Sequence, residues 1–199
     1  MKLTPRVYDG LQRYVHGDFT RQKNYIIELS GIQRGEAILE LGCGTGLLGH
    51  LFLQPYDYWG IDIDETRCRC ANKRYSTDKF VVGDVTRWAV PTLPPFRYAF
   101  CHGLLHHLDD AGCKTIISTL FDTLNIDKFV TIEILRPSTG AASITHIFDN
   151  LIADMDEGKF VRTRDQYVTL FNSRHLIAEH VLNFHPHYPM KEVVLCVGR

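Results

Sequence analysis

The sequence predicts an α/β fold built on a parallel sheet, and three observations carry that prediction. Apolar runs of strand length alternate with stretches of helical period across most of the chain. A glycine-rich turn, Gly42-Cys43-Gly44-Thr45-Gly46, joins the first such run directly to a helix. Residues 175–199 read as two strands with a short connection, which makes that pair antiparallel.

The elements follow in order. Val7, Leu11, Tyr14 and Val15, then Tyr25, Ile26 and Leu29, predict one or two helices ahead of the sheet. Strands are expected at 37–41, 58–63, 79–82, 98–101 and 129–135. Between the fourth and fifth, Cys113, Ile116, Ile117, Leu120, Phe121 and Leu124 form one apolar stripe that would lie on the sheet, with Asp109 and Asp110 suited to its N-terminal end. Ile144, Ile147, Phe148, Leu151, Ile152 and Met155 repeat the helical period until Asp156-Glu157-Gly158. Thr163 and Gln166 have capping-box spacing, predicting a short helix over 164–171. Strands at 175–184 and 192–197 close the chain through His185-Pro186-His187-Tyr188-Pro189, although 176–181 alone also suits a helix. The economical organisation is one domain over 1–199: N-terminal helices at 1–35, a core at 36–135, a helical insertion or cap at 140–172 and a hairpin at 175–199.

Composition narrows the function. The chain has 199 residues, 45% hydrophobic and 23% charged, enough to bury a core without disulfide or metal staples. With 22 Lys+Arg against 23 Asp+Glu, no global basic field gathers nucleic acid or anionic lipid. No run approaches the roughly 18 apolar residues of a membrane helix, and Met1-Lys2-Leu3-Thr4-Pro5-Arg6 has no apolar signal core, so a cytoplasmic location is expected. The six cysteines lack CxxC spacing and read as reduced thiols, and no histidine stands at zinc-site spacing from Cys68 and Cys70, so no metal is expected.

Glycines at alternate positions let the backbone turn tightly and approach a ligand closely. Two ligand classes compete for this turn. Gly44, Gly46 and Gly49 satisfy the dinucleotide fingerprint formally, with Asp62 downstream to hold ribose hydroxyls. A pyrophosphate, however, is disfavoured beside Glu40 at the end of the feeding strand. That acid suits a ligand carrying an ammonium or sulfonium, and S-adenosylmethionine carries both. Asp62 ends the second strand and Asp84 the third, so three acids occupy successive strand ends on the edge where open α/β sheets bind ligands.

These residues resemble a class I S-adenosylmethionine-dependent methyltransferase of the small, type 11 kind. The resemblance is carried by Ile38-Leu39-Glu40-Leu41-Gly42-Cys43-Gly44-Thr45-Gly46, Gly60-Ile61-Asp62-Ile63-Asp64, Val82-Gly83-Asp84-Val85, and the stretch from Phe96 to Leu108. It covers about residues 36–135 in order. It implies a Rossmann-like, mostly parallel seven-stranded sheet with an antiparallel C-terminal hairpin and helices on both faces. It also implies S-adenosylmethionine as cofactor, with S-adenosylhomocysteine as product. The implied cofactor-binding positions are Glu40, Gly42, Gly44 and Gly46 for the methionine part, Asp62 for the ribose, Asp84 and Val85 for the adenine, and also Cys43, Ile63 and Cys101. Arg97 and Tyr98 depart from the pattern, standing where such proteins commonly have an acid and an aliphatic residue.

Methyl transfer from a sulfonium needs alignment and removal of an acceptor proton. His102, His106 and His107 follow the fourth strand and are the candidate bases. His106 and His107 match a pair common in the resembled family and often structural. Glu133, inside strand five, reads either as a buried acid that would need a partner or as a polar side chain at the sheet edge, and His146 as a solvated one. Lys159, Arg162, Arg164 and Arg174 form either a clamp for an anionic acceptor or a solvated face opposite Asp149, Asp154, Asp156 and Glu157. Amino-methylating DNA enzymes have an Asn/Asp-Pro-Pro-aromatic motif after strand four, whereas here Pro94-Pro95-Phe96 precedes it, which disfavours nucleic acid. The expectation is methylation of a small molecule, the anionic class included, on oxygen rather than nitrogen. The alternatives are a nicotinamide-dependent oxidoreductase and a catalytically silent cofactor-binding subunit.

Overall fold

The computed structural model describes residues 4–88, 92–136, 158–185 and 188–199. Seven strands form one sheet in the order β3-β2-β1-β4-β5-β7-β6. They are β1 (Ala37–Leu41), β2 (Asp57–Asp62), β3 (Phe80–Val82), β4 (Tyr98–His102), β5 (Lys128–Ile134), β6 (His175–His185) and β7 (Tyr188–Gly198). The first five pair in parallel, and β7 lies antiparallel to both β5 and β6. Strand order reverses between β1 and β4, so the loops leaving those two strands diverge and open a crevice at their carboxyl ends.

The helices are α1 (Pro5–His16), α2 (Thr20–Ser30), α3 (Gly49–Phe52), α4 (Glu65–Tyr75), α5 (Asp110–Ser118) and α6 (Arg164–Leu170). Alternation along β1 divides the core. Leu39 and Leu41 pack with Ile116, Leu120, Tyr167 and Leu170 on the face covered by α5 and α6. Ile38 faces the opposite side with Ile26, Phe52, Tyr58, Cys68 and Phe100. Asp109 caps α5 by accepting the Gly112 N–H at 2.8 Å, and Thr163 with Gln166 forms the capping box of α6. A π-helical turn at Thr119–Thr123 continues the apolar stripe beyond α5.

The expected hairpin is longer than its hydrophobic pattern, with β6 running to His185 and β7 starting at Tyr188; residues 176–181 are strand. Pairing with β7 decides that short run, an interaction that periodicity does not report. Arg97, the unusual residue before β4, ion-pairs with Asp127 at 2.7 Å and Glu36 at 3.5 Å. The expected helix through 144–155, His146 and the acids Asp149 to Glu157 lie outside the described residues. All six cysteines are free, and among the described residues no helix is long and apolar enough to cross a membrane.

Glu133 does not stand at the sheet edge. It is 1% exposed, in the middle of the sheet on β5. Its Oε1 accepts the N–H groups of Leu104 (3.1 Å) and Leu105 (2.8 Å), and Oε2 accepts that of His106 (3.4 Å) and meets His106 Nδ1 at 2.8 Å. Burial raises the carboxyl pKa, but these bonds outweigh it and hold it below the ordinary value. On the other side of the same turn, Arg162 donates to the carbonyls of Leu105 (2.9 Å), Leu108 (2.7 Å) and Phe160 (3.0 Å) and to Asp110 (2.7 Å). The chain after β4 is thus held through its N–H groups by one buried acid and through its carbonyls by one buried guanidinium. Arg162→Ala leaves those carbonyls unmet, a loss of about 3 kcal/mol, and Arg162→Lys recovers little because an ammonium cannot reproduce the planar fork. Chemical denaturation of both variants checks this.

Candidate active site

The turn after β1 gets its shape from three glycines at positive φ, Gly42 (72°), Gly44 (53°) and Gly46 (70°). Gly46 is the most demanding, because a Cβ there would stand 2.8 Å from Phe80 and 2.9 Å from the Ala71 methyl. The turn is pinned to β2 by Ile61, whose carbonyl accepts the N–H groups of Gly42 (2.8 Å) and Cys43 (3.0 Å). Asp62 then orients itself against the turn. Its Oδ2 accepts the Gly44 N–H and its Oδ1 the Asp64 N–H, both at 2.8 Å. Two bonds leave other lone pairs of this carboxylate for ligand hydroxyls. The neighbouring Asp64 is committed to capping α4 through Thr66 and Arg67.

Farther along the same edge, Asp84 Oδ1 accepts the N–H (2.9 Å) and hydroxyl (2.6 Å) of Thr86, which holds the acid below its ordinary pKa. Val85 beside it is nearly buried, whereas Ile63 leaves 70% of its surface exposed at the cleft rim. Glu40 is buried at 3% exposure, and the Tyr58 hydroxyl donates to its Oε2. Desolvation is the largest influence and lifts the Glu40 pKa to about 7, against the opposing pull of Tyr58 and His102.

Helix α1 lies across the glycine turn. Asp9 accepts from the Thr45 hydroxyl and pairs with Arg74, whose Nη1 also donates to the Thr45 carbonyl at 2.8 Å. Tyr8 is packed under the Arg67 guanidinium, 4.4 Å from its ring centre. Two narrow cavities, each about 30 Å³, lie along α1. One is bounded by the glycine turn through Glu40, Gly42, Cys43 and Thr45. The other is bounded by His16, Gly103, His106, Ile132, Ile134 and Glu192. Tyr8, Gln12 and His102 line both, so these side chains stand where the two chambers meet.

The three candidate histidines therefore differ. His102 ends β4 at the junction, with Nε2 3.5 Å from the Glu192 carboxylate and its ring edge-on to His16 at 4.6 Å. His106 lines the second cavity but spends Nδ1 on Glu133, so its first task is to shape the turn. His107 packs its ring 4.2 Å from that of His106 and lines neither cavity. The Cys101 side chain is fully buried, 3.2 Å from Thr131 Oγ1 and 3.6 Å from Glu133, and does not face the cleft. The three arginines of the 159–174 cluster do not form an anion clamp: Arg162 is inside the protein, Arg164 pairs with Asp165 and Glu179, and Arg174 pairs with Asp122.

Tyr8, Gln12, His16 and Glu192 were not foreseen as site residues. They come from α1 and β7, elements remote in sequence from the glycine turn, and no local motif marks them. Only the apolar period of α1, which predicts a helix needing a face to cover, pointed toward its role.

A family model described as a methyltransferase domain matches residues 38–127. No curated protein matches the sequence. Among solved structures, phosphoethanolamine N-methyltransferase 2 of Haemonchus contortus, with phosphomonomethylethanolamine and S-adenosylhomocysteine, superposes with a TM-score of 0.72 at 13% identity, covering 99% of this chain and 58% of that one. Geranyl diphosphate C-methyltransferase from Streptomyces coelicolor A3(2), with Mg2+, geranyl-S-thiolodiphosphate and S-adenosyl-L-homocysteine, gives 0.66 at 14% identity, covering 90% and 76%. The [4+2]-cyclase SpnF gives 0.63 at 12% identity, covering 90% and 80%. At these identities the likeness establishes the Rossmann-like methyltransferase fold, and the sequence over residues 38–127, a little under half of the chain, matches a methyltransferase domain.

Proposed function

We propose that this protein methylates an oxygen of a small-molecule acceptor held in the chamber between α1, β4 and β7. The observation that carries the reading is the meeting of the two cavities at Tyr8, Gln12 and His102: one chamber borders the glycine turn, and the other reaches into polar side chains. When bound, S-adenosylmethionine supplies a methyl group on a sulfonium whose departure leaves a neutral thioether. Asp62 accepts the ribose hydroxyls, Asp84 and the Val85 N–H hold the adenine, and Ile63 offers an apolar surface to its ring. Glu40 faces the ammonium of the methionine part, which favours the ionised carboxylate. His102, at the junction, positions the acceptor oxygen toward the methyl group. Oxygen is preferred to nitrogen because the polar lining, which also has Tyr8, Gln12 and His106, includes His16, His102 and Glu192, groups that bind and activate a hydroxyl. The similar structures include enzymes named for C- and N-methylation and a cyclase, so this preference stands on the chamber alone.

A screen of metabolite pools with isotopically labelled methyl donor tests the reading, and labelled product on an oxygen is the expected result. Stabilisation against heat by NADH but not by S-adenosylhomocysteine overturns it, and tight S-adenosylhomocysteine binding without any turnover favours a silent subunit. Asp62→Ala is expected to weaken S-adenosylhomocysteine at least about tenfold, through loss of charge-assisted bonds to the ribose, as read by calorimetry.

Glu40 adds a pH signature. Its folded pKa of about 7 lies above the ordinary 4.5, so between those values the folded state holds a proton that the unfolded chain has lost. Stability contributed by this group is full below pH 4.5 and falls as pH rises toward 7, by about 3 kcal/mol in all. Glu40→Gln removes that fall, which denaturation at pH 5 and pH 8 measures. Binding has the opposite sign: the cofactor's ammonium favours the ionised acid, so affinity for S-adenosylhomocysteine rises through pH 7 in the wild type and flattens in Glu40→Gln.

A further inference from the structure

We propose that His16, His102 and Glu192 form a metal centre that takes a divalent cation of the zinc class and presents it to the acceptor chamber. The three ligands come from different elements: His16 is the last residue of α1, His102 the last of β4, and Glu192 lies in β7. One ligand atom from each falls within 4.8 Å of the other two.

The separations favour coordination over hydrogen bonding. Glu192 Oε1 lies 3.5 Å from His16 Nδ1 and 3.5 Å from His102 Nε2. N–H···O bonds cluster at about 2.7–3.2 Å. Two tetrahedral ligands each roughly 2.1 Å from one metal stand about 3.4 Å apart. The imidazole rings meet edge-on at 75°, and one nitrogen of each lies within 4.8 Å of the other and of the carboxylate. Burial supplies the driving force, since the side chains of Glu192, His16 and His102 are only 2%, 7% and 10% exposed. A carboxylate so far from water calls for a cation.

A second observation comes from Gln22. This side chain is 4% exposed, its Nε2 is 3.4 Å from His16 Nδ1, and its Oε1 is buried without a hydrogen-bond partner among the described residues. An orphaned acceptor beside the cluster suits a metal-bound hydroxyl or water, which offers it a proton donor. Two imidazoles and a carboxylate leave a further coordination position, the arrangement of catalytic rather than structural zinc, and the same donor set also accepts iron(II). The adjacent chamber lets a ligand reach that position.

The centre rests on the methyl-transfer reading for its role. With a cation there, an acceptor hydroxyl at the open position would be acidified, because the metal draws electron density from its oxygen, and would give its proton to solvent. That oxygen then forms the new bond to the methyl carbon, and the carbon–sulfur bonding pair stays with the departing thioether. His102 acts as a ligand in this scheme, so no histidine needs to be the proton acceptor.

The test uses the full chain, stripped with a chelator and titrated separately with Zn2+ and Co2+. One equivalent is expected to bind and raise the thermal midpoint, with Co2+ giving visible absorption of a four- or five-coordinate site. His16→Ala and Glu192→Gln are each expected to lower affinity at least about a hundredfold, since each removes a direct ligand. X-ray absorption of the zinc-loaded wild type reads the ligands without any variant, and scattering from two imidazoles is expected. Failure of the wild type to take up an equivalent, absorption lacking two imidazoles, or unchanged affinity in both variants overturns the metal centre. Binding of S-adenosylhomocysteine by stripped protein is measured alongside: its retention with no metal uptake sinks the centre alone, and its loss with metal uptake intact sinks the methyl-transfer reading alone.

Discussion

A single buried carboxylate, Glu133, organises the side of the cleft opposite the glycine turn. It lies inside the sheet on β5, yet its oxygens serve the chain that has just left β4, gathering the N–H groups of Leu104, Leu105 and His106 and the ring of His106. Without it these donors would be buried and unmet, each at a loss of about 1–3 kcal/mol. The turn it fixes brings Leu104 against Gly42, where a Cβ would stand 3.0 Å from the leucine, so the two loops that diverge at the switch point are fitted to each other. Arg162 completes the arrangement from the outside and ties the segment before α6 to the same turn.

Much of this fold could be read before any coordinates. The parallel strands, the capping box at Thr163, the cap at Asp109 and the glycine turn with Asp62 are all local patterns, and local patterns are what periodicity and spacing report. What escaped was long-range pairing. For Glu133 the sequence leaves a buried acid and an edge residue both open, because one acid in an apolar strand gives no sign of donors arriving from β4. Arg162 looked like part of a solvated or anion-binding cluster because its three carbonyl acceptors lie in other segments or behind an irregular backbone. Glu40 was placed correctly as an acid near the turn, but its contact with Tyr58 and the resulting shift to about 7 follow from burial, which a sequence does not display.

The near-neutral charge of −1 takes on a different meaning once the charges are located. Glu40, Glu133, Arg162 and Glu192 are all buried. Two of them, Glu133 and Arg162, are satisfied by the turn after β4 and act as architecture. The other two face the chambers along α1, where charge acts on a ligand. The sum over the chain mixes these roles and therefore says nothing about the acceptor.

Helix α1 belongs to both chambers. It contributes Tyr8 and Gln12 to both chambers and His16 to one, it ends at Gly17 with φ of 69°, and its hold on the glycine turn runs through Asp9 to Thr45 and Arg74. A shift of the helix therefore alters both chambers at once. Cofactor and acceptor consequently meet the same three side chains, Tyr8, Gln12 and His102, so neither surface is set independently of the other. Asp9, through Thr45 and Arg74, ties that shared lining to the glycine turn.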